Sequence, residues 1–177
     1  GHFMVMATQN PLEHEGTYPL PEAQLDRFLF KLEVSYPPVE SELAAVLAHC
    51  QGGMPDPAAM GLQPLLPSAA LMSLLELPTQ VRVEPSIARY AVDLARATRE
   101  HQALAFGISP RASTMLVAAA RANAVCEGRA FIVPDDVKHL FLSATHHRVA
   151  LAASAEMEGL RLVDVLREIM ERVPVPR

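Results

Sequence analysis

An unbroken apolar run, FMVMAT at residues 3–8, stops at Gln9-Asn10-Pro11. Its length and lack of alternation mark a strand covered on both faces, as in parallel sheets. Such a strand needs a partner on each edge, yet only Gly1-His2 stands ahead of it. The expectation is therefore that other strands lie upstream, outside this chain, and that Gly1-His2 is a cleavage scar. The following LEHEGTYPLP is broken by Gly16, Pro19 and Pro21 and reads as a loop. PEAQLDRF reads as a short helix with Pro21 at its start, and FLFKLEV, residues 28–34, as a second strand. Two strands alone are marginal. Residues up to about 36 thus read as the end of an α/β domain, ordered where they pack on the helical part of the chain or pair with another copy.

Beyond Tyr36-Pro37-Pro38 the apolar period changes from that of a strand to that of a helix. Leu43, Val46, Leu47 and Cys50 fall on one stripe of a helix starting near Ser41. A loop rich in Gly and Pro separates it from a helix over Ser68–Leu77, and Val81 and Val83 read as a short extended stretch. Four more helices are expected, over Pro85 to about Arg99, Pro110–Cys126, Pro134 to about His146 and Leu162–Arg172. Three begin on a proline, whose fixed φ suits a first helical position. Val133 stands where a better capping residue is expected before Pro134. The fold class is mainly α, preceded by two strands and a short helix. It divides into residues 1–38, a connecting 39–80, and a helical unit over 81–177.

Composition narrows function mainly by exclusion. A net charge of −5, with Lys31 and Lys138 the only lysines, argues against a nucleic-acid-binding tail or a basic membrane patch. No apolar run approaches the roughly 20 residues of a membrane-spanning helix, and no signal-peptide pattern is present. A cytoplasmic protein is the default. Cys50 and Cys126 lack CxxC spacing and read as reduced thiols in the core or on a helix face. His139, His146 and His147 do not make HExxH, and no metal site is expected. GxSxG is missing, and so is GxxxxGK[ST], so the chain has no phosphate-cradling loop of its own.

Three residues are candidates for chemistry. Asn10 ends the first expected strand, where open α/β sheets place ligand contacts. It serves either to orient a water or phosphate oxygen, or as a turn residue ahead of Pro11. Arg27, next to Asp26 and just before the second expected strand, is either half of a local ion pair or an arginine presented to a phosphate. Arg111 follows Ser109, an N-cap candidate, and Pro110, so it sits in the first turn of a helix. A cation there opposes the helix dipole. An anion shared by the guanidinium and the backbone N–H groups would account for it, as would a neighbouring carboxylate such as Asp93 or Glu100.

ATQNPLEHEGTYPLPEAQLDRFLFKL resembles the second half of the ATPase module of the MoxR family of AAA+ ATPases, almost continuously over residues 3–34. GISPRAST, VPDDV and the closing LRLVDVLREIMERVPVPR resemble that family's C-terminal helical lid, while residues 50–80 are least distinctive. The resemblance implies the end of a P-loop NTPase core followed by a helical-bundle lid. It also implies roles: Asn10 as sensor 1, Arg27 as the arginine finger that reaches an adjacent subunit, and Arg111 as sensor 2. A homo-oligomeric ring, usually a hexamer, follows from a finger that acts in trans. The implied activity of the full-length parent is ATP hydrolysis with Mg2+, driving chaperone-like remodelling or maturation of client proteins, often with a von Willebrand factor A domain partner. Without its Walker A and Walker B segments, the chain itself is expected neither to bind ATP tightly nor to hydrolyse it.

Two other readings stand beside this one. A non-enzymatic helical interaction module would leave Asn10, Arg27 and Arg111 merely structural. A magnesium-chelatase-like or DNA-linked AAA+ subunit would share the LDRF and sensor layout. A GxxxxGK[ST] loop upstream of Phe3 would separate the ATPase readings from the interaction module.

Overall fold

The computed structural model describes residues 4–9, 20–50, 56, 58 and 60–176. Among these, eight helices and two short strands follow in the order α1 (Glu22–Leu25), α2 (Val39–Cys50), α3 (Ser68–Gln80), α4 (Pro85–Glu100), β1 (Leu104–Phe106), α5 (Pro110–Cys126), α6 (Pro134–Thr145), β2 (Ala150–Leu151), α7 (Ala153–Met157) and α8 (Leu162–Arg172). All six longer helices fall where the 3.6-residue period places them. The spans of α5 and α8 are those expected to the residue.

The core is built by the faces the sequence marks as apolar. α4 buries Ile87, Tyr90, Ala91, Leu94, Ala95 and Thr98. α8 turns Val165, Leu166 and Ile169 inward. Phe141 of α6 and Leu116 of α5 are fully buried between them. Small residues on α5, among them Ala112, Ala120 and Ala124, let neighbouring helices approach closely. Every buried member of this cluster lies between Val81 and Val173, with Phe30 packed against it from the N-terminal part.

Among the described residues, neither N-terminal stretch expected as a strand forms one. Residues 4–9 are exposed and without regular structure, and residues 28–34 join no ladder. A strand exists through its partners' hydrogen bonds, and no neighbouring strand is available to either stretch among the described residues. The segment after α1 instead attaches to the helices, with Lys31 N–H donating to the Ser143 carbonyl at 2.9 Å. The extended stretch expected at Val81–Val83 is present as a single parallel bridge between Arg82 and Phe131.

The apolar stripe of α2 is also a correction to expectation: Leu43, Val46 and Leu47 are each more than half exposed. Neither α2 nor α3 contributes a buried residue. The helical period is legible there, but among the described residues no partner covers the face. Cys50 and Cys126 are free and exposed on their helices.

The one sheet among the described residues was not anticipated. β1 and β2 pair antiparallel, Leu104 with Leu151 and Phe106 with Ala150. This pairing runs the chain leaving β1 towards Ser109 alongside the chain entering β2 from Arg148. Gly107 sits in that approach, where a Cβ would lie 2.4 Å from the Arg99 backbone nitrogen. Only glycine lets the chain pass so close to α4. Thr98 Oγ1 accepts from Ile108 N–H at 3.0 Å and Arg99 Nε donates to the Ile108 carbonyl at 2.8 Å, fastening the approach to α5 onto the end of α4.

Candidate functional site

The approach to α5 ends at Ser109, which caps the helix by accepting from Ala112 N–H at 3.3 Å. Pro110 occupies the first helical position. Arg111 follows in the first turn and is exposed. The carboxylates that could have explained its position are engaged elsewhere: Asp93 pairs with Arg89 at 2.8 Å and Glu100 with Arg96 at 3.5 Å. No ion pair of Arg111 is found among the described residues.

Arg27 lies in the turn that ends α1 and is also exposed. Its sequence neighbour Asp26 is not its partner. Asp26 Oδ1 instead accepts from Arg148 Nε at 3.1 Å, and both of its oxygens accept from Ser109 Oγ at 3.1 Å. The local ion pair considered from the sequence is therefore replaced by a long-range one.

Arg148 is 6% exposed and holds the whole turn. Its Nη2 donates to the Asp26 carbonyl at 2.9 Å and to the Phe28 carbonyl at 2.5 Å. Nη1 donates to the Leu29 carbonyl at 3.2 Å and also to that of Ala144. Burial pushes the guanidinium pKa down and Asp26 opposes that shift. Five donors on a planar fork suit a ring of carbonyl oxygens in a way that a lysine ammonium does not. His147 Nε2 adds a 2.9 Å bond to the Phe28 carbonyl. Burial lowers the His147 pKa, with that bond acting against it and the Arg148 charge adding to it.

Thus the structure brings Arg27 and Arg111 to the two ends of one short chain of contacts, running from Asp26 to Ser109. A cleft of about 390 Å³ opens there, lined by Glu22, Asp26, Phe106, Ser109, His147 and Arg148. A larger cleft of about 690 Å³ lies among α4, α7 and α8, lined by Glu100, His101, Glu158, Glu168 and Arg172. It contains neither arginine candidate and its lining lacks their link to a helix start. Asn10 lies outside the described residues. Arg148 was missed from the sequence because nothing local distinguishes an arginine in HHRV from a surface cation.

Residues 96–169 match the AAA lid domain, and residues 1–30 match the family described as ATPases associated with various cellular activities. The chain is 42% identical over 174 residues to the uncharacterized protein YeaC of Bacillus subtilis, covering 98% of this chain and 53% of that protein. It is 38% identical to the chaperone MoxR1 of Mycobacterium tuberculosis, covering 99% of this chain and 47% of the relative. Protein MoxR of Paracoccus denitrificans is 30% identical, with 99% and 56% covered. A crystal structure from Cytophaga hutchinsonii, of a protein provisionally assigned as an ATPase, superposes with a TM-score of 0.84 at 30% identity, over 96% of this chain and 53% of that one. The chain spans about half the length of the relatives it matches.

Proposed function

Because this chain belongs to the MoxR family of AAA+ ATPases and carries their lid, we propose that the full-length protein couples ATP hydrolysis to chaperone-like remodelling or maturation of partner proteins. It does so in the cytoplasm as a ring, most simply a hexamer, with a client that includes a von Willebrand factor A domain protein. Residues 1–38 end the ATPase core, 39–80 connect, and 81–177 form the lid.

The observation that carries the reading is the contrast at residues 26 to 29. The backbone carbonyls of Asp26, Phe28 and Leu29 are all held by Arg148, while the Arg27 side chain between them stays exposed. A rigid backbone with an exposed guanidinium suits an arginine that completes a neighbouring subunit's nucleotide site. Arg111, exposed at the N-terminus of α5, suits a phosphate sensor in the lid, since helix dipole and guanidinium favour the same anion. Asn10 is assigned to sensor 1 by resemblance. Among the described residues no group of three or more His, Cys, Asp and Glu side chains is arranged to hold a cation.

The test is turnover of full-length protein carrying Arg27→Ala. ATP hydrolysis is expected to fall about 10³-fold, the lower end for an arginine finger, with nucleotide binding retained. Unchanged turnover overturns the finger assignment. A second reading, a non-enzymatic interaction module, draws on the uncovered leucines of α2 and α3. It would be favoured by a full-length protein that binds no ATP.

A further inference from the structure

We propose that Arg148 is a positioning residue that couples the Arg27 turn to the start of α5, so that the finger and the lid sensor move as one unit. The coupling rests on the reading of Arg27 as finger and Arg111 as sensor.

Arg148 belongs to the lid half of the chain, between α6 and β2, yet most of its bonds go to a turn about 120 residues earlier. It holds four groups of that turn: the Asp26 carboxylate and the Asp26, Phe28 and Leu29 carbonyls. The link continues outward. Ser109 Oγ donates to the same Asp26 carboxylate while accepting from Ala112 N–H, so one hydroxyl both caps α5 and fixes the turn. Arg148 also touches α5 directly, with Nη2 3.3 Å from Met115 Sδ. A displacement of α5, such as a nucleotide drawing on Arg111 would produce, must carry Asp26 with it or break a hydrogen bond to a half-buried carboxylate. Arg27 is the next residue. Catalytic arginines tolerate little misplacement, since an error of about 1 Å can cost on the order of a hundredfold in rate.

Ser109 allows the link to Asp26 to be broken while the helix cap is kept. Aspartate caps helices about as well as serine, but at position 109 it would face the Asp26 carboxylate with a like charge. Full-length Ser109→Asp is therefore expected to stay folded with its cap intact, its melting temperature lowered modestly by the lost bond and the like charge, and, with KM for ATP within about twofold, to lose turnover roughly tenfold or more where it is fully folded. Ser109→Thr keeps both bonds and should retain turnover to within about twofold. Asp26→Asn should lower kcat on its own, and D26N/S109D should be less impaired than the product of the single effects, because the repulsion is gone. Arg27→Ala is measured alongside. If it abolishes turnover while Ser109→Asp and Asp26→Asn leave kcat within about twofold, the coupling is overturned and the finger reading survives. If Arg27→Ala is itself without effect, the finger reading fails and the coupling with it. A rise in KM at constant kcat in Ser109→Asp also overturns the coupling, since it marks simple repulsion of nucleotide. Should Asp26→Asn fail to fold, Ser109→Asp decides alone.

Discussion

The Arg129 guanidinium meets the Asp136 carboxylate on two parallel bonds, Nη1 to Oδ2 at 2.8 Å and Nη2 to Oδ1 at 2.5 Å. Asn123 Nδ2 and Val133 N–H complete the carboxylate, each at 2.8 Å. Asp136 is 3% exposed, and its four donors come from α5, from the turn after it, and from the residue ahead of α6. The last bond answers the weak cap expected at Val133. The side chain three residues on reaches back to the unpaired N–H, which is the half of a capping box that valine does not prevent.

Removing that carboxylate strands two donors and a guanidinium at the junction of α5 and α6. Asp136→Ala is expected to cost about 3 kcal/mol in denaturant unfolding, the low end for breaking a buried pair because Arg129 keeps partial access to water. A loss under about 1 kcal/mol would show that the junction does not depend on this pair.

Stability should also fall with acid at the same site. Burial alone would raise the Asp136 carboxyl, but the bonds from Arg129, Val133 and Asn123 outweigh it and hold its pKa below the usual range. A carboxyl depressed in the folded state contributes stability that is present above the unfolded value of about 4 and is lost as pH falls through the folded one. Urea melts below pH 4 should therefore show a smaller slope with pH in Asp136→Ala than in the parent protein.

His147 predicts a second titration at milder pH. Its folded-state pKa is lowered, first by burial and further by Arg148, His146 and Lys31. The neutral ring is the one that fits, donating from Nε2 to Phe28. Stability from this group is full above the ordinary histidine value of about 6.5 and declines as pH drops from there through the lowered folded value. His147→Gln should flatten the dependence of stability between about pH 5 and 7, and an unchanged slope would count against the assignment.

Gly107→Ala tests the approach to α5. The added methyl would sit 2.4 Å from the Arg99 backbone nitrogen and 2.6 Å from its Cα, with no flexible side chain able to yield. A cost of about 1–3 kcal/mol is expected from overpacking, together with weaker ATP turnover in full-length protein as Ser109 and Arg111 shift. A variant as stable as the parent would mean that α4 gives way there.

Amide exchange should divide the chain by burial. α2 and α3 bury no residue, whereas α4, α5 and α6 share the core. In this chain, amides of 39–50 should exchange well before those of 110–126, because local opening costs little where few apolar contacts are lost. Equal protection would point to a cover over α2.

The sequence by itself determined the helices, because their causes are local. Proline at the first position, a capping serine and a stripe every third or fourth residue act within a few turns, so α5 and α8 were readable to the residue. It also marked Arg27 and Arg111, through motifs short enough to recognise. What it could not determine was which apolar face would find a partner. The stripe of α2 keeps helical spacing as that of α8 does, although it is far less sharply one-sided, and Leu43 is exposed where Leu166 is buried. The strand pairing of β1 with β2 is too short to carry a period. The partner of Asp26 was equally hidden: Arg27 is adjacent in sequence, but the antiparallel pairing and the close pass at Gly107 deliver Arg148 and Ser109 instead. Burial and long-range hydrogen bonds are properties of the assembled chain, and they decided that one arginine would be locked inside so that another could be held out.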